Sequence, residues 1–171
     1  MKDVFLVYNS SCFYEIVILN YFMSFTKCDV VFCSLDGKPV KAMEGYCVNV
    51  DMPLNEVNPE QIRSFIIPGG KVSNIHNPEV SLYLQKLRNN NVLIGGICSA
   101  VDLLDDAGIL SDISCTHSTE LDIVNDKNVI TARANAYVDF AIEVAKELEL
   151  FTSEADLQET IEFWKNYKRI Q

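Results

Sequence analysis

The sequence predicts an α/β protein in which helices cover both faces of one mostly parallel sheet. Short, apolar, β-prone segments alternate along the chain with amphipathic segments of helical period, as in parallel sheets with crossover helices. Apolar residues make up 49% of the 171 residues, so a domain of this size can bury roughly 70% of the surface that its unfolded chain exposes. The chain shows no repeat, low-complexity tract or linker, and residues 1–171 are therefore predicted to form a single domain.

The N-terminal half carries recognisable signals for turns and helix ends. Ser10 or Ser11 is expected to cap the first helix, and Asp36-Gly37 predicts a hairpin that joins the second strand to a short third one. In order, the predicted elements are a strand over Val4–Tyr8, a helix to about Phe25, strands over Asp29–Leu35, near Val40, over Tyr46–Val50 and over Ser64–Ile67, and a helix from Asn77-Pro78 to about Asn90.

The C-terminal half continues the same alternation. Gly108 is a plausible end for the helix that follows Cys98, and Leu157, Ile161 and Trp164 give the last helix an apolar face. In order, the predicted elements are a strand over Val92–Ile94, a helix from Cys98 to Asp105 or Asp106, a strand over Val129–Ala132, a helix over Val138–Leu148 and a final helix capped by Ser153.

Charge and hydropathy restrict the class of partner. Lys and Arg total 14 against 24 Asp and Glu, which gives a net charge of −10 and argues against nucleic acid and anionic membranes as partners. The longest apolar runs fall short of the ~20 residues of a membrane span, and the segment 1–8 is read as a strand and not as a signal sequence. We therefore expect a cytoplasmic protein that acts on a small molecule.

The six cysteines are predicted to be reduced. No secretory signal accompanies them, and no C-x-x-C pair occurs, so neither a disulfide framework nor a structural zinc site is expected. Cys28 and Cys33 lie in or beside a strand-type run and are interpreted as small core residues. The sequence thus predicts neither a metal nor a cofactor, and it leaves one cysteine with a distinctive setting.

Cys98 is the strongest candidate for a reactive residue. It follows the apolar run Val92-Leu-Ile-Gly-Gly-Ile97 and precedes Ser99-Ala100, which open a helical pattern. This order is typical of a nucleophile elbow, in which the reactive side chain sits on a sharp strand-to-helix turn. The helix N-terminus is expected to favour the thiolate and to lower the thiol pKa. The alternative reading is a small buried hydrophobic residue.

Other candidates follow neighbouring strands and should meet Cys98 at the carboxyl edge of the sheet. Glu15 is either a protonated acid that donates a hydrogen bond to the thiolate or a solvated acid in a first helical turn. The backbone N–H groups of Gly69 and Gly70 are predicted to form an oxyanion hole with that of Ser99. His117 either orients and deprotonates Cys98 or lies in solvent, and His76 is a weaker candidate.

These motifs together resemble the ThiJ/PfpI family of the class I glutamine amidotransferase-like superfamily, and most closely its compact bacterial branch. The resemblance covers nearly the whole chain. It rests on Phe65-Ile-Ile-Pro-Gly-Gly70, Gly96-Ile-Cys-Ser-Ala100, Ala107-Gly-Ile-Leu110 followed by Thr116-His117, and Ile130-Thr-Ala-Arg133 with Val138-Asp-Phe-Ala141. It implies a flavodoxin-like sandwich, usually a homodimer, with Cys98 as reactive thiol, Glu15 as its acid, Gly70 and Ser99 as oxyanion donors, and His117 matching a histidine of part of the family.

The chain also departs from this pattern. Ser99 follows the cysteine where peptidase-like members carry His, and Ala100 replaces a common Gly. The segment between His117 and Ile130 is shorter than in the deglycase branch.

Three functions remain open from the sequence. The first is a hydrolase or lyase, a class that includes glyoxalase- and deglycase-like enzymes, that acts on a small carbonyl or amide-like substrate through Cys98. The second is a non-enzymatic redox or stress-response protein that senses oxidation at Cys98, with Cys12 as a conceivable resolving thiol. The third is a binding domain whose enzyme-like site is vestigial. Fold alone does not distinguish these functions.

Overall fold

The computed structural model describes residues 1–169, and residues 170–171 of the predicted domain lie outside the described part of the chain. The strands are β1 (Lys2–Leu6), β2 (Val30–Ser34), β3 (Val40–Lys41), β4 (Cys47–Val48), β5 (Met52–Pro53), β6 (Ile62–Ile67), β7 (Leu93–Ile97), β8 (Ile123–Asp126) and β9 (Val129–Ala132). The helices are α1 (Val17–Phe25), α2 (Pro78–Asn89), α3 (Ala100–Asp106), α4 (Tyr137–Glu147) and α5 (Glu154–Trp164).

Seven of these strands form one sheet with the spatial order β5-β2-β1-β6-β7-β9-β8. All neighbours in it are parallel except β8 and β9, which are antiparallel. The central strands β1, β6 and β7 are almost entirely buried, which explains why their carboxyl-terminal halves are apolar without alternation.

Helices pack on both faces of this sheet. Alternate residues of β1 point to opposite faces, so Val4 and Leu6 join the core under α2 and α3. Phe5 and Val7 join the second core, under α1, α4 and α5. This arrangement confirms the predicted flavodoxin-like α/β sandwich. No helix within residues 1–169 is long and apolar enough to cross a bilayer.

The predicted helix starts are confirmed where a side chain caps the helix. Asn77 accepts a hydrogen bond from the Val80 N–H at the start of α2, and Ser153 accepts one from the Asp156 N–H at the start of α5. Gly108 adopts a left-handed φ of 74° just after α3, as a helix-terminating glycine does. The bounds of the remaining predicted helices and strands shift by a few residues at most, except in the first 50 residues.

The first predicted helix begins later than expected, and no serine caps it. Ser10 has a left-handed φ of 64°, and Ser11 is buried and forms an isolated antiparallel bridge with Gly70. This bridge holds the chain in a loop as far as a 3₁₀ turn at Phe13–Glu15, and α1 starts only at Val17. The loop is therefore longer than the local capping signal suggested, because a distant strand end holds it.

The predicted hairpin between the second and third strands is wrong. β3 pairs with β4, with Val40 opposite Val48, in a separate two-stranded sheet that we call the β3–β4 hairpin. The open edge of β2 is occupied instead by β5, in which Met52 lies opposite Cys33. Asp36-Gly37 does turn the chain, with Gly37 at φ 72°, but the turn leads away from the main sheet. The edge strand β8 was missed altogether.

Candidate active site

Cys98 lies between the end of β7 and the start of α3 and has a left-handed φ of 59°. Its N–H donates a 2.9 Å hydrogen bond to the carbonyl of Ala132 on β9, and its carbonyl accepts one from Val101. These bonds hold a non-glycine residue in a backbone conformation that costs of order 1–2 kcal/mol. The thiol is consequently half-buried at the carboxyl edge of the sheet, in the geometry of a nucleophile elbow.

The glycine pair before Cys98 is required by packing on the two faces of β7. A Cβ on Gly95 would lie 2.8 Å from a methyl of Ile66 and 2.9 Å from the Phe140 ring. A Cβ on Gly96 would lie 2.6 Å from a methyl of Leu104 on α3. The two glycines thus allow α3 and α4 to approach the strand closely, one on each face.

Glu15 is the buried acid of the site. Its side chain is 1% exposed, and its Oε2 accepts a 2.6 Å hydrogen bond from the Gly69 N–H. Its other oxygen, Oε1, is buried and has no hydrogen-bond partner within the described chain. Of the two readings of Glu15 that the sequence allowed, the geometry matches the buried acid and not the solvated one.

Gly69 brings the acid and the thiol together. A Cβ built on Gly69 would lie 2.6 Å from the Cys98 Cβ, 3.0 Å from the Cys98 Sγ and 2.9 Å from the Glu15 Oε2. Because real Cβ atoms do not approach other atoms this closely, only glycine fits between the two side chains. The Pro68-Gly69-Gly70 turn is therefore a spacer between Glu15 and Cys98.

The expected oxyanion hole is not free in this state. The N–H of Gly69 is bonded to Glu15, and the N–H of Gly70 donates to the Ser99 Oγ at 2.9 Å. The Ser99 hydroxyl in turn donates to the Gly70 carbonyl at 2.8 Å. Both amide donors that the sequence predicted for the oxyanion hole on this turn are thus occupied by side chains of the same site. The Ser99 N–H contacts the Cys98 thiol.

The pKa values of both Glu15 and Cys98 are raised. Burial raises the pKa of Glu15, and hydrogen bonds from Gly69 and Cys98 oppose part of that rise. Burial and the negative charge of Glu15 raise the pKa of Cys98, whereas the N–H of Ser99 lowers it. The expected low pKa of Cys98 is therefore corrected. α3 has only seven residues and carries Asp102 in its first turn, so its dipole is outweighed.

The two histidines lie against the outer side of α3. His117 Nδ1 is 3.7 Å from the Asp102 Oδ1, and the His117 side chain is 45% exposed. His76 Nε2 is 3.5 Å from the Asp106 Oδ2, one helical turn further along. Among residues 1–169, no hydrogen bond joins either histidine to Cys98. The structure therefore does not bring His117 to the thiol as the catalytic reading required.

Tyr8 and Tyr14, which were not identified from the sequence, lie near the site together with Cys12. The Tyr8 hydroxyl donates to the Pro68 carbonyl at 2.8 Å, and the Cys12 N–H donates to the Gly69 carbonyl at 2.9 Å, so both support the Gly69 turn. Burial and the charge of Glu15 raise the pKa of Cys12 to about 11. The Tyr14 ring packs edge-on against Tyr137, with centroids 5.7 Å apart. Only the position of Tyr14 next to Glu15 in the chain could have suggested Tyr14.

No group of three or more His, Cys, Asp or Glu side chains within residues 1–169 is arranged to hold a metal ion. The polar groups that surround Cys98 are one carboxyl, hydroxyls, a second thiol and backbone amides. They suit proton transfer and hydrogen bonding to a small polar group.

A parallel α/β sheet with a cysteine at a left-handed strand-to-helix turn, and a buried carboxyl beside it, defines an α/β protein of the nucleophile-elbow type. The model of the DJ-1/PfpI family matches residues 1–147. The chain belongs to this family, which confirms the resemblance drawn from its motifs.

Curated relatives and solved structures agree with this membership. The chain is 27% identical over 84 residues to a deglycase of Thermococcus kodakarensis, covering 48% of this chain and 51% of that protein. It is 26% identical over 113 residues to a deglycase of Pyrococcus horikoshii, covering 64% of this chain and 68% of that protein. The chain thus matches about half the length of the first of these relatives.

Two solved structures share nearly the whole fold. A DJ-1 superfamily protein of Agrobacterium tumefaciens matches with a TM-score of 0.86 and 25% identity, over 98% of this chain and 100% of that one. A thiJ/pfpI family protein of Bacillus anthracis matches with a TM-score of 0.88 and 22% identity, over 98% of this chain and 91% of that one.

Proposed function

We propose that the protein is a cysteine-dependent enzyme, of hydrolase or deglycase type, that acts on a small carbonyl or amide-like substrate. The observation that carries this proposal is the contact of a strained, half-buried cysteine with a fully buried carboxyl across Gly69. Both features are costly to folding, and such features concentrate at functional sites. The relatives named as deglycases support the same class of chemistry at low identity.

The proposed reaction uses the proton shared by the pair. The Cys98 thiolate adds to the carbonyl carbon of the substrate, and the developing negative charge on oxygen is stabilised by the Ser99 N–H. Glu15, whose pKa is raised by burial, gives its proton to the leaving group as the bond between that group and the carbonyl carbon breaks. Water then attacks the thioester on Cys98, returns a proton to Glu15 and releases the acid product and the thiolate. No histidine is needed, in keeping with the lack of a hydrogen bond between His117 and Cys98 within residues 1–169.

The test is turnover of a substrate panel by matched variants. Methylglyoxal, a methylglyoxal adduct of a thiol or amine, glutamine, an isonitrile and a peptide are each incubated with the wild type, Cys98→Ser and Glu15→Gln. Cys47→Ser is the control, because Cys47 is an exposed free cysteine on β4. We expect one substrate to be consumed by the wild type and the control, with a loss of at least 100-fold in the other two variants. Equal turnover in Cys98→Ser, or none with any substrate, contradicts the proposal.

A second candidate function is the sensing of oxidation at Cys98. The observation that favours it is the contact between the Cys98 thiol and the buried Glu15 carboxyl, whose Oε1 has no hydrogen-bond partner within residues 1–169. A sulfinate formed on Cys98 by a peroxide would accept a hydrogen bond from a protonated Glu15. Cys12 is a poor resolving thiol in this scheme, because its pKa is raised to about 11 and little thiolate forms near neutral pH.

Mass spectrometry after mild peroxide treatment distinguishes the sensor from the enzyme. A sensor should gain two oxygen atoms on Cys98 before the other five cysteines react, and it should show no turnover with the substrate panel. Glu15→Gln should then accumulate the higher, irreversible sulfonate. Oxidation spread over all six cysteines contradicts the sensor function.

A further inference from the structure

The β3–β4 hairpin holds the loop that carries Glu15. This is the small sheet whose first strand, β3, was wrongly predicted to pair with the second strand. The Ser10 N–H donates to the Lys41 carbonyl at 2.7 Å, and the Met43 N–H donates to the Ser11 carbonyl at 2.9 Å. The Lys41 N–H donates to the Asn9 side chain at 2.8 Å. Three hydrogen bonds thus tie the hairpin to the loop before the 3₁₀ turn.

A fourth hydrogen bond reaches the turn itself and comes from Glu44, at the tip of the hairpin. The Tyr14 N–H donates to the Glu44 Oε1 at 2.7 Å. Phe13, in the same turn, packs edge-on against Tyr46 of the hairpin, with ring centroids 5.9 Å apart. Tyr14 is adjacent to Glu15 in the chain, and Phe13 lies two positions before it.

The 3₁₀ turn Phe13–Glu15 has no cap of its own. Cys12 occupies the capping position, and its side chain makes no capping hydrogen bond. The first N–H groups of a helical turn need acceptors, and a carboxylate satisfies them best because of its charge. Glu44 fills this position from a segment 30 residues away in the chain.

We infer that Glu44 is a positioning residue for the candidate site: by capping the turn Phe13–Glu15 it fixes the Glu15 carboxyl against Gly69 and Cys98. The inference rests on the proposed role of Glu15, but its structural part can be measured without a substrate. No hydrogen bond joins Glu44 to Cys98 within residues 1–169, and the effect of Glu44 is transmitted through the backbone of Tyr14 and Glu15.

Glu44 also acts through its charge. The titratable groups that face the Glu15 carboxyl are Tyr8, Cys12, Tyr14, Cys98 and Glu44. The negative charge of Glu44 raises the pKa of both Glu15 and Cys12. Glu44 is exposed, so this effect is small and screened by salt, whereas the hydrogen bond to Tyr14 depends little on ionic strength.

Two variants separate position from charge. Glu44→Gln retains an acceptor oxygen for the Tyr14 N–H but removes the charge, and Glu44→Ala removes both. Glu56→Ala is the matched control, because Glu56 is an exposed acid on another 3₁₀ turn, outside the hairpin. Each protein is measured by hydrogen–deuterium exchange of the segment 10–16 and by the rate of Cys12 alkylation by iodoacetamide as a function of pH, because burial and the charges of Glu15 and Glu44 raise the pKa of Cys12.

In Glu44→Ala we expect exchange in the segment 10–16 to accelerate roughly tenfold, as for the loss of one charge-assisted hydrogen bond. Glu44→Gln should keep most of the protection, while the alkylation profile of its Cys12 moves to lower pH. At a pH on the rising limb this means a roughly two- to fivefold faster reaction, and the difference should shrink at high salt. Glu56→Ala should match the wild type in both measurements.

Unchanged exchange in Glu44→Ala overturns the positioning role, whether or not the protein turns over a substrate. An alkylation profile of Glu44→Gln that coincides with the wild type at low salt overturns the electrostatic part. If the proposed enzymatic function fails on every substrate, both measurements still report on the segment that carries Glu15, so the two failures are distinguishable.

Discussion

The carboxyl of Glu15 and the backbone N–H of Gly69 form a 2.6 Å hydrogen bond directly beside the Cys98 thiol. This bond fixes one oxygen of the acid and leaves the other without a partner in the described chain. The acid therefore cannot turn away from the thiol without losing its best contact, and the two groups titrate as a pair.

Glu15→Gln should raise the reactivity of Cys98 while lowering any enzymatic turnover. The charge of Glu15 raises the pKa of Cys98, so a neutral amide should increase the thiolate fraction at neutral pH. The measurement is the pH dependence of alkylation by iodoacetamide, followed by mass spectrometry at Cys98. A profile displaced to higher pH contradicts the coupling. Glu56→Gln, a change of an exposed acid, should leave the profile unmoved.

The free energy of unfolding should depend on pH because Glu15 changes its protonation state. Its pKa is raised above the ordinary value of 4.5, so the folded state binds the proton more tightly than the unfolded state. The stabilising contribution is therefore complete below that ordinary value and is lost as the pH rises through the raised pKa. Urea unfolding between pH 4 and pH 8 should show the wild type losing stability relative to Glu15→Gln over that range. Parallel curves for the two proteins would exclude the raised pKa.

Gly69→Ala should destabilise the protein by about 1–3 kcal/mol, as expected for overpacking of a filled site. Its new Cβ would meet the Cys98 Cβ at 2.6 Å and the Glu15 Oε2 at 2.9 Å. Urea unfolding checks the free energy. The same substitution made in a Cys98→Gly background should cost less, because the cysteine Cβ and Sγ are then absent. Equal costs in the two backgrounds would show that this contact does not matter.

Cys98→Gly should be more stable than Cys98→Ala by about 1 kcal/mol, because only glycine adopts a φ of 59° without strain. Both variants lack the thiol, and only the alanine variant retains the strained backbone conformation. The difference between their free energies of unfolding therefore measures the backbone strain. Thermal and urea unfolding of both variants provide the comparison. An alanine variant at least as stable as the glycine variant would mean that the turn at Cys98 stores no backbone strain.

The sequence was most informative where structure depends on neighbours in the chain. Three kinds of feature were predicted from local preferences and are present in the structure. They are the Gly95-Gly96 pair before Cys98, the helix caps Asn77 and Ser153, and the largely apolar strands β6 and β7. The elbow is of this kind, since the strand, the turn and the helix that form it are contiguous. The family could be inferred from the same contiguous motifs.

Contacts between distant segments of the chain were decided only by the tertiary structure. Gly69 lies 54 residues from Glu15 and Glu44 lies 30 from Tyr14, and no local pattern announces either pair. Burial beside Glu15 reversed the expected direction of the Cys98 pKa shift, because desolvation and a like charge outweigh a seven-residue helix. Local sequence thus determined that a cysteine stands on a strand-to-helix turn, while packing at the sheet edge determined how tightly that cysteine holds its proton.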